Sequence, residues 1–134
     1  MMVVDASVVV SYLVPKDVNH IASRRWFRQQ VADERQIIAP LLLLPEIGGA
    51  ISRRTGNPAL SHRAAEALKK LSNLRLIAID DQLTSAATEV AINLRLRGAD
   101  ALYVAVAARL NLPLVSWDNE HASRAGTMIR VITP

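Results

Sequence analysis

An α/β fold, with a short and mostly parallel central sheet flanked by helices, is the class this sequence predicts. Three observations predict it. Short apolar segments of strand character alternate with longer segments of helical period. The stretches between successive strands are mostly long enough to hold a crossover helix, which parallel pairing requires. The strand segments are apolar without polar alternation, as expected of a sheet covered on both faces.

Met2–Asp5 reads as a short buried strand, and Ser7–Leu13 turns into a helix that Pro15 stops. His20–Ala32 carries Ile21, Ala22, Trp26 and Val31, with Arg24, Arg25 and Arg28 between them, which is an amphipathic helix. Gln36–Ala39 is a second strand before Pro40. Leu42–Arg54 is a helix, in which the adjacent Gly48 and Gly49 cost stability and so suggest close packing. Pro58–Leu71 is a helix with Ser61 as a candidate cap. Leu74–Ile79 is a strand ending at Asp80-Asp81. Gln82–Arg97 is a helix, with Gly98 placed to terminate it. Asp100–Leu110 is an alanine-rich helix, Leu114–Ser116 a strand, Asn119–Ala125 a short helical turn and Ile129–Ile132 a last strand. No repeat, low-complexity tract or linker interrupts the series, so one domain over residues 1–134 is expected.

A chain of 134 residues can bury a real core, and a hydrophobic content of 51% argues against disorder. No apolar run reaches the roughly 18–20 residues of a membrane span. Asp5 interrupts the first apolar run, so no secretory leader is expected. The absence of cysteine excludes disulfides and thiolate metal sites and fits a reducing cytoplasm, the expected location. The formal charge is +4, and all sixteen basic residues except Lys16, Lys69 and Lys70 are arginine. That balance suits a polyanionic partner, because arginine pairs with phosphate bidentately. Taken alone, the charge is better read as a solvated surface with excess arginine.

Four carboxylates occupy uncomfortable places. Asp5 ends Met-Met-Val-Val, Glu46 follows Leu41–Pro45, Asp100 precedes Ala101–Ala105, and Asp118 follows Leu114–Trp117. A lone ionised carboxylate in apolar surroundings costs several kcal/mol or more. Convergence on shared divalent cations explains all four economically. Individually, Asp5 and Asp100 could cap helices and Asp118 could belong to a turn. Glu46 is not a preferred cap and lies in the least polar stretch. The other acids fall mostly on polar helix faces or in loops. In a parallel sheet, sites form beyond the carboxyl ends of the strands, where Asp5 and Asp118 are expected.

Val-Val-Asp5-Ala-Ser7, Pro-Glu46 within a helix, Asp100-Ala-Leu-Tyr-Val-Ala and Val-Ser-Trp-Asp118, in that order and spacing, resemble the PIN-domain ribonucleases. The likeness runs from Asp5 to the final strand, and the length resembles the toxins of VapBC-type toxin–antitoxin pairs. The resemblance implies a three-layer α/β fold and RNA cleavage dependent on Mg²⁺ or Mn²⁺. It implies Asp5, Glu46, Asp100 and Asp118 as the acidic quartet, with Ser7 supporting the first acid and Glu120 as a further acid in some members. It also implies a small antitoxin partner and a homodimer, for which Leu41–Leu44 and Ala86–Ala91 leave room. Asp5, Asp100 and Asp118 are expected to hold metal directly or through water; Glu46 either ligates or serves as base. Hydrolysis by metal-activated water should leave a 5′-phosphate and a 3′-hydroxyl. Arg53, Arg54 and Arg97 are candidates for RNA contact, although each also fits a solvated helix end.

The competing classes fare worse. A binding module with a lost site would not need all four acids. A response-regulator receiver needs an acidic pair after its first strand, where Asp5 stands alone, and a late lysine that is missing. A haloacid-dehalogenase-type phosphatase needs Asp where this chain has Ser7. His20, His62 and His121 are scattered in polar segments, which argues against a paired-histidine ribonuclease.

Overall fold

Strands β1 (Met2–Val4), β2 (Ile37–Pro40), β3 (Leu74–Ile77), β4 (Leu114–Val115) and β5 (Val131–Ile132) form one sheet in the order β3-β2-β1-β4-β5. Every neighbouring pair is parallel. The structure is a computed structural model and describes residues 1–134. The three inner strands are buried along their whole length, as their unbroken apolar sequences require. The edge strands β3 and β5 are only partly covered.

The helices are α1 (Ala6–Leu13), α2 (His20–Ala32), α3 (Leu43–Thr55), α4 (Pro58–Lys69), α5 (Asp81–Leu94), α6 (Gly98–Leu110) and α7 (Asn119–Ala125). Right-handed crossovers place α1 to α4 on one face of the sheet and α5 to α7 on the other. The helix contacts group accordingly: α1 packs on α2 and α3, α3 on α4, α5 on α6, and α6 on α7. This is the three-layer architecture. The buried side of α6 runs through Ala101 and Tyr103–Ala107 against β1, β2 and β4. Its alanines allow a close approach to the sheet, and a helix apolar nearly all round belongs in the interior. On α2, Phe27 is buried between Tyr12 and Trp26, with the Trp26 ring edge-on to it. No helix is long and apolar enough to cross a membrane.

Strand order reverses at β1. From there the chain steps outward through β2 to β3, then crosses to β4 and β5 on the other side. Side chains leaving the carboxyl ends of β1 and β4 therefore meet at the switch point, where open α/β sheets form their sites.

Three local expectations are corrected. Gly98 does not end α5; it opens α6. The terminator is Arg95, left-handed at φ 53°, and Leu96 N–H reaches back to the Ala91 carbonyl at 3.2 Å. That is a Schellman turn, drawn tight because Leu96 is buried behind it. Ser61 is not the cap of α4. Pro58 sits in the first turn, so Asn57 caps, its Oδ1 accepting from Ala59 N at 3.1 Å and Leu60 N at 3.3 Å. Close packing does not explain Gly48: a Cβ there would touch nothing within 4 Å. At Gly49 a Cβ would meet only the Arg53 guanidinium, at 3.0 Å.

Asn57→Ala should lower unfolding free energy by about 1 kcal/mol. Ser61→Ala should cost nothing or stabilise, because the buried Ser61 Oγ has no hydrogen-bond partner. Urea denaturation of both variants checks the pair; a Ser61→Ala loss as large as that of Asn57→Ala would contradict the assignment.

Candidate active site

Asp5 leaves the end of β1 with extended backbone and begins α1 without capping it through its side chain. Its carboxylate is buried and is held by two hydroxyls. Ser7 Oγ donates to Asp5 Oδ2 at 2.6 Å, and Ser116 Oγ donates to the same oxygen at 2.8 Å. Each serine also accepts a backbone N–H from the turn after β4: Trp117 N to Ser7 Oγ at 3.0 Å, Asp118 N to Ser116 Oγ at 2.9 Å. The turn is thereby tied to the start of α1 and to the end of β4. The Trp117 indole N–H donates to Ser23 Oγ at 2.8 Å, which fastens the turn to α2 as well.

Asp118 caps α7, accepting from Glu120 N at 2.8 Å. One turn on, His121 points inward and is 0% exposed. Its Nδ1 lies 2.9 Å from Ser116 Oγ and 3.7 Å from Asp5 Oδ2, and its Nε2 lies 3.6 Å from Asp100 Oδ1. Asp100 comes from the first turn of α6, where Arg97 Nε donates to its Oδ2 at 3.0 Å. Single ligand atoms of Asp100, Asp118 and His121 all lie within 4.8 Å of one another. Glu46, in the first turn of α3, accepts a hydrogen bond from the buried Tyr103 hydroxyl.

The environments of the acids differ. The adjoining His121 ring holds the Asp100 carboxyl below its ordinary value, with help from Arg97 and against the opposing effect of burial. Burial pushes Glu46 up, the Tyr103 bond offsets part of this, and the charges of Asp5 and Asp100 raise it further. Burial pulls His121 down, but the carboxylates of Asp100, Asp5 and Asp118 together outweigh it and leave its pKa raised. Burial, followed by the Glu46 contact, keeps the Tyr103 phenol protonated.

The expected residues are distributed as follows. Asp5, Ser7, Asp100 and Asp118 come together, and Glu46 borders them through its electrostatic coupling to Asp5 and Asp100. Glu120 is exposed and turns its carboxylate to Arg124 at 3.7 Å, so it supports Asp118 only through its backbone N–H. Arg97 is engaged with Asp100. Arg53 and Arg54 line a cleft of about 620 Å³ that also holds Ser7, Glu46 and Trp117; Arg54 is paired with Asp17 at 2.6 Å.

Placing His121 in a polar segment is the error in the sequence reading of the site. The available signal was spacing: His121 and Ala125 fall on one side of α7, and both are buried. Ser116 and Tyr103 were also missed, since neither carries a charge. The donor set suits a divalent cation, with carboxylate oxygens joined by an imidazole nitrogen that is buried and has no hydrogen-bond partner.

Carboxylates gathered on an imidazole at the switch point of a parallel sheet define the class: an α/β protein with a candidate metal-binding acid cluster. The chain belongs to the PIN domain family, whose model matches residues 2–127. It is 32% identical over 129 residues to Ribonuclease VapC1 of Mycobacterium tuberculosis, covering 92% of this chain and 90% of that protein. Its fold is similar to that of Mycobacterium tuberculosis VapC20, described as a sarcin–ricin loop cleaving toxin, with a TM-score of 0.83, 19% identity and full coverage of both chains. It is also similar to a chain of VapBC2 from Rickettsia felis bound to a promoter DNA fragment, with a TM-score of 0.72 and 14% identity over 98% of this chain and 97% of that one.

Glu46 supplies a pH test on the metal-free protein. Its folded pKa is raised, so between the ordinary carboxylate range and that higher value the folded state holds a proton the unfolded state has lost. Stability therefore falls as pH rises through this window. Glu46→Gln cannot ionise. In EDTA it should melt a few degrees above the wild type at about pH 8, and the gap should shrink toward about pH 4. A gap that widens toward acid would reverse the assignment.

Proposed function

We propose that residues 1–134 form a single PIN-like domain acting as a divalent-metal-dependent endoribonuclease, the toxin of a type II toxin–antitoxin pair in the cytoplasm. The observation that carries this reading is the gathering of Asp5, Asp100 and Asp118 around His121 beyond the carboxyl ends of β1 and β4, beside a cleft lined by Glu46 and arginine. The similarity to Ribonuclease VapC1 supports RNA as the substrate. The fold shared with a chain of the VapBC2 structure supports a small antitoxin as partner. Exposed Leu41 and Ile92 leave apolar surface for a homodimer.

Asp100 and Asp118, with Asp5 behind them, would hold Mg²⁺ or Mn²⁺. Bound there, the cation supplies Lewis acidity toward the phosphodiester and favours attack by water, leaving 5′-phosphate and 3′-hydroxyl ends. Ser7 and Ser116 fix the Asp5 carboxylate by spending both hydroxyl protons on it. Arg97 orients Asp100. Glu46, with its proton affinity raised by burial and its orientation fixed by Tyr103, is suited to take a proton from the attacking water or to complete the ligand set. Arg53 lines the cleft, where a guanidinium can pair with a phosphate of the bound strand.

Purified protein should cut an end-labelled RNA pool in Mg²⁺ or Mn²⁺, leave 5′-phosphates, and stop in EDTA. Asp100→Asn should lose more than about 100-fold in rate, since even supporting residues of a metal site are worth 10–100-fold. Cutting that survives EDTA or the substitution would reject the metal-dependent reading. For RNA binding, Arg53→Ala should reduce the slope of log affinity against log salt by about 0.7 per lost phosphate contact. An unchanged slope in a filter-binding titration would remove Arg53 from the RNA path.

A further inference from the structure

We infer that His121 Nε2 is a nitrogen ligand of the cation held by the acid cluster, making this a mixed nitrogen–oxygen site that takes Mn²⁺ in preference to Mg²⁺. The inference rests on the reading of the cluster as a metal site and goes beyond it by naming a ligand and an ion preference.

Hydrogen-bond accounting fixes which ring nitrogen is free. Ser116 Oγ accepts from Asp118 N and donates its only proton to Asp5. It has one lone pair left, and His121 Nδ1, 2.9 Å away, can satisfy it only by donating. Nδ1 therefore carries the hydrogen, and Nε2 is the nitrogen left to exchange its proton for a cation and present a lone pair. A histidine that ligates a metal is held in this way, its other N–H anchored to a neighbouring acceptor that sets the tautomer and aims the ring.

Nε2 is buried and has no hydrogen-bond partner. The group facing it is Asp100 Oδ1, at 3.6 Å. That is too long for a hydrogen bond, and the positive charge the two need between them is a proton on Nε2 in the metal-free protein or the cation in the loaded one. Two ligand atoms each about 2.1 Å from one ion stand roughly 3.0 Å apart when adjacent and roughly 4.2 Å apart when opposite, so 3.6 Å lies within the range a shared ion imposes. Asp118 adds the third donor, its nearest ligand atom within 4.8 Å of the other two. Only one of its oxygens is committed as the α7 cap.

The nitrogen decides the ion. Mg²⁺ takes hard oxygen ligands and gains little from an imidazole, whereas Mn²⁺ and the later divalent metals bind nitrogen more readily. An all-carboxylate site would lack this discrimination.

The test is Mn²⁺ titration of the metal-free full chain, with bound ion counted by electron paramagnetic resonance and its nitrogen ligands read by pulsed resonance. The expected result is one directly coordinated imidazole nitrogen, whose signal changes isotope when the protein's histidines are labelled with ¹⁵N. His121→Gln should abolish the coupling and weaken Mn²⁺ binding at least tenfold, at the lower end of what ligand-shell changes cost, while moving Mg²⁺ affinity far less. Should that variant fail to fold, the labelled wild type decides alone. Mn²⁺ that binds, is lost in Asp100→Asn and shows no histidine coupling would overturn the inference and leave the acidic metal site standing. No Mn²⁺ binding at millimolar concentration would overturn both.

Discussion

The constraint on which the rest of the site depends is the burial of the Asp5 carboxylate. It ends a strand with no exposed residue after Met1 and is itself only 5% exposed. A buried carboxylate must be paired or fully hydrogen-bonded, or it neutralises. Two serines meet that need, and they come from opposite sides of the switch point: Ser7 from α1 and Ser116 from the end of β4. Because each also accepts a backbone N–H, satisfying Asp5 fixes the path of Trp117 and Asp118. That path makes Asp118 the cap of α7, and the cap sets the face on which His121 enters the core. Losing one hydroxyl would leave a buried acceptor short of a partner, at a cost of about 1–3 kcal/mol, and would also release the turn.

Around that anchor the charges divide the labour. Like charges so close together repel, and His121 and Arg97 are placed where they relieve the repulsion around Asp100. Asp100 is kept ionised while Glu46, against Tyr103 and deeper in apolar surroundings, is pushed toward the proton. Two carboxylates whose environments drive their proton affinities apart are suited to different jobs, one to holding a cation and the other to exchanging a proton. Arg54 is committed to Asp17 and Arg97 to Asp100, which leaves Arg53, of the three arginines considered for RNA contact, without an acidic side-chain partner.

Much of the fold was legible because its signals are local. Apolar runs, caps and helix period placed every strand and helix with small errors at the ends. The errors arose where distant burial overrode a local preference. Gly98 offered the cheaper left-handed residue, yet Arg95 took that conformation because Leu96 had to be buried. Ser61 is a good capping residue, yet Pro58 had already placed the start of the helix one turn earlier. His121 looked solvated among Asn119, Glu120 and Ser123, because the seven residues of α7 offer only Ala125, one turn on, to mark the buried side.

The sequence by itself determined the alternation of strands and helices, the apolar core, and the presence of four acids at strand ends and helix starts. Each follows from side-chain polarity and backbone preference within a few residues. Only the tertiary structure decided the strand order β3-β2-β1-β4-β5, and with it the position of the switch point. Only it turned His121 inward against Asp5 and Asp100. The physical reason is that these outcomes depend on closing contacts between distant segments. The Ser116–Asp5 bond spans 111 residues, and no local pattern records which distant donor a buried carboxylate will find.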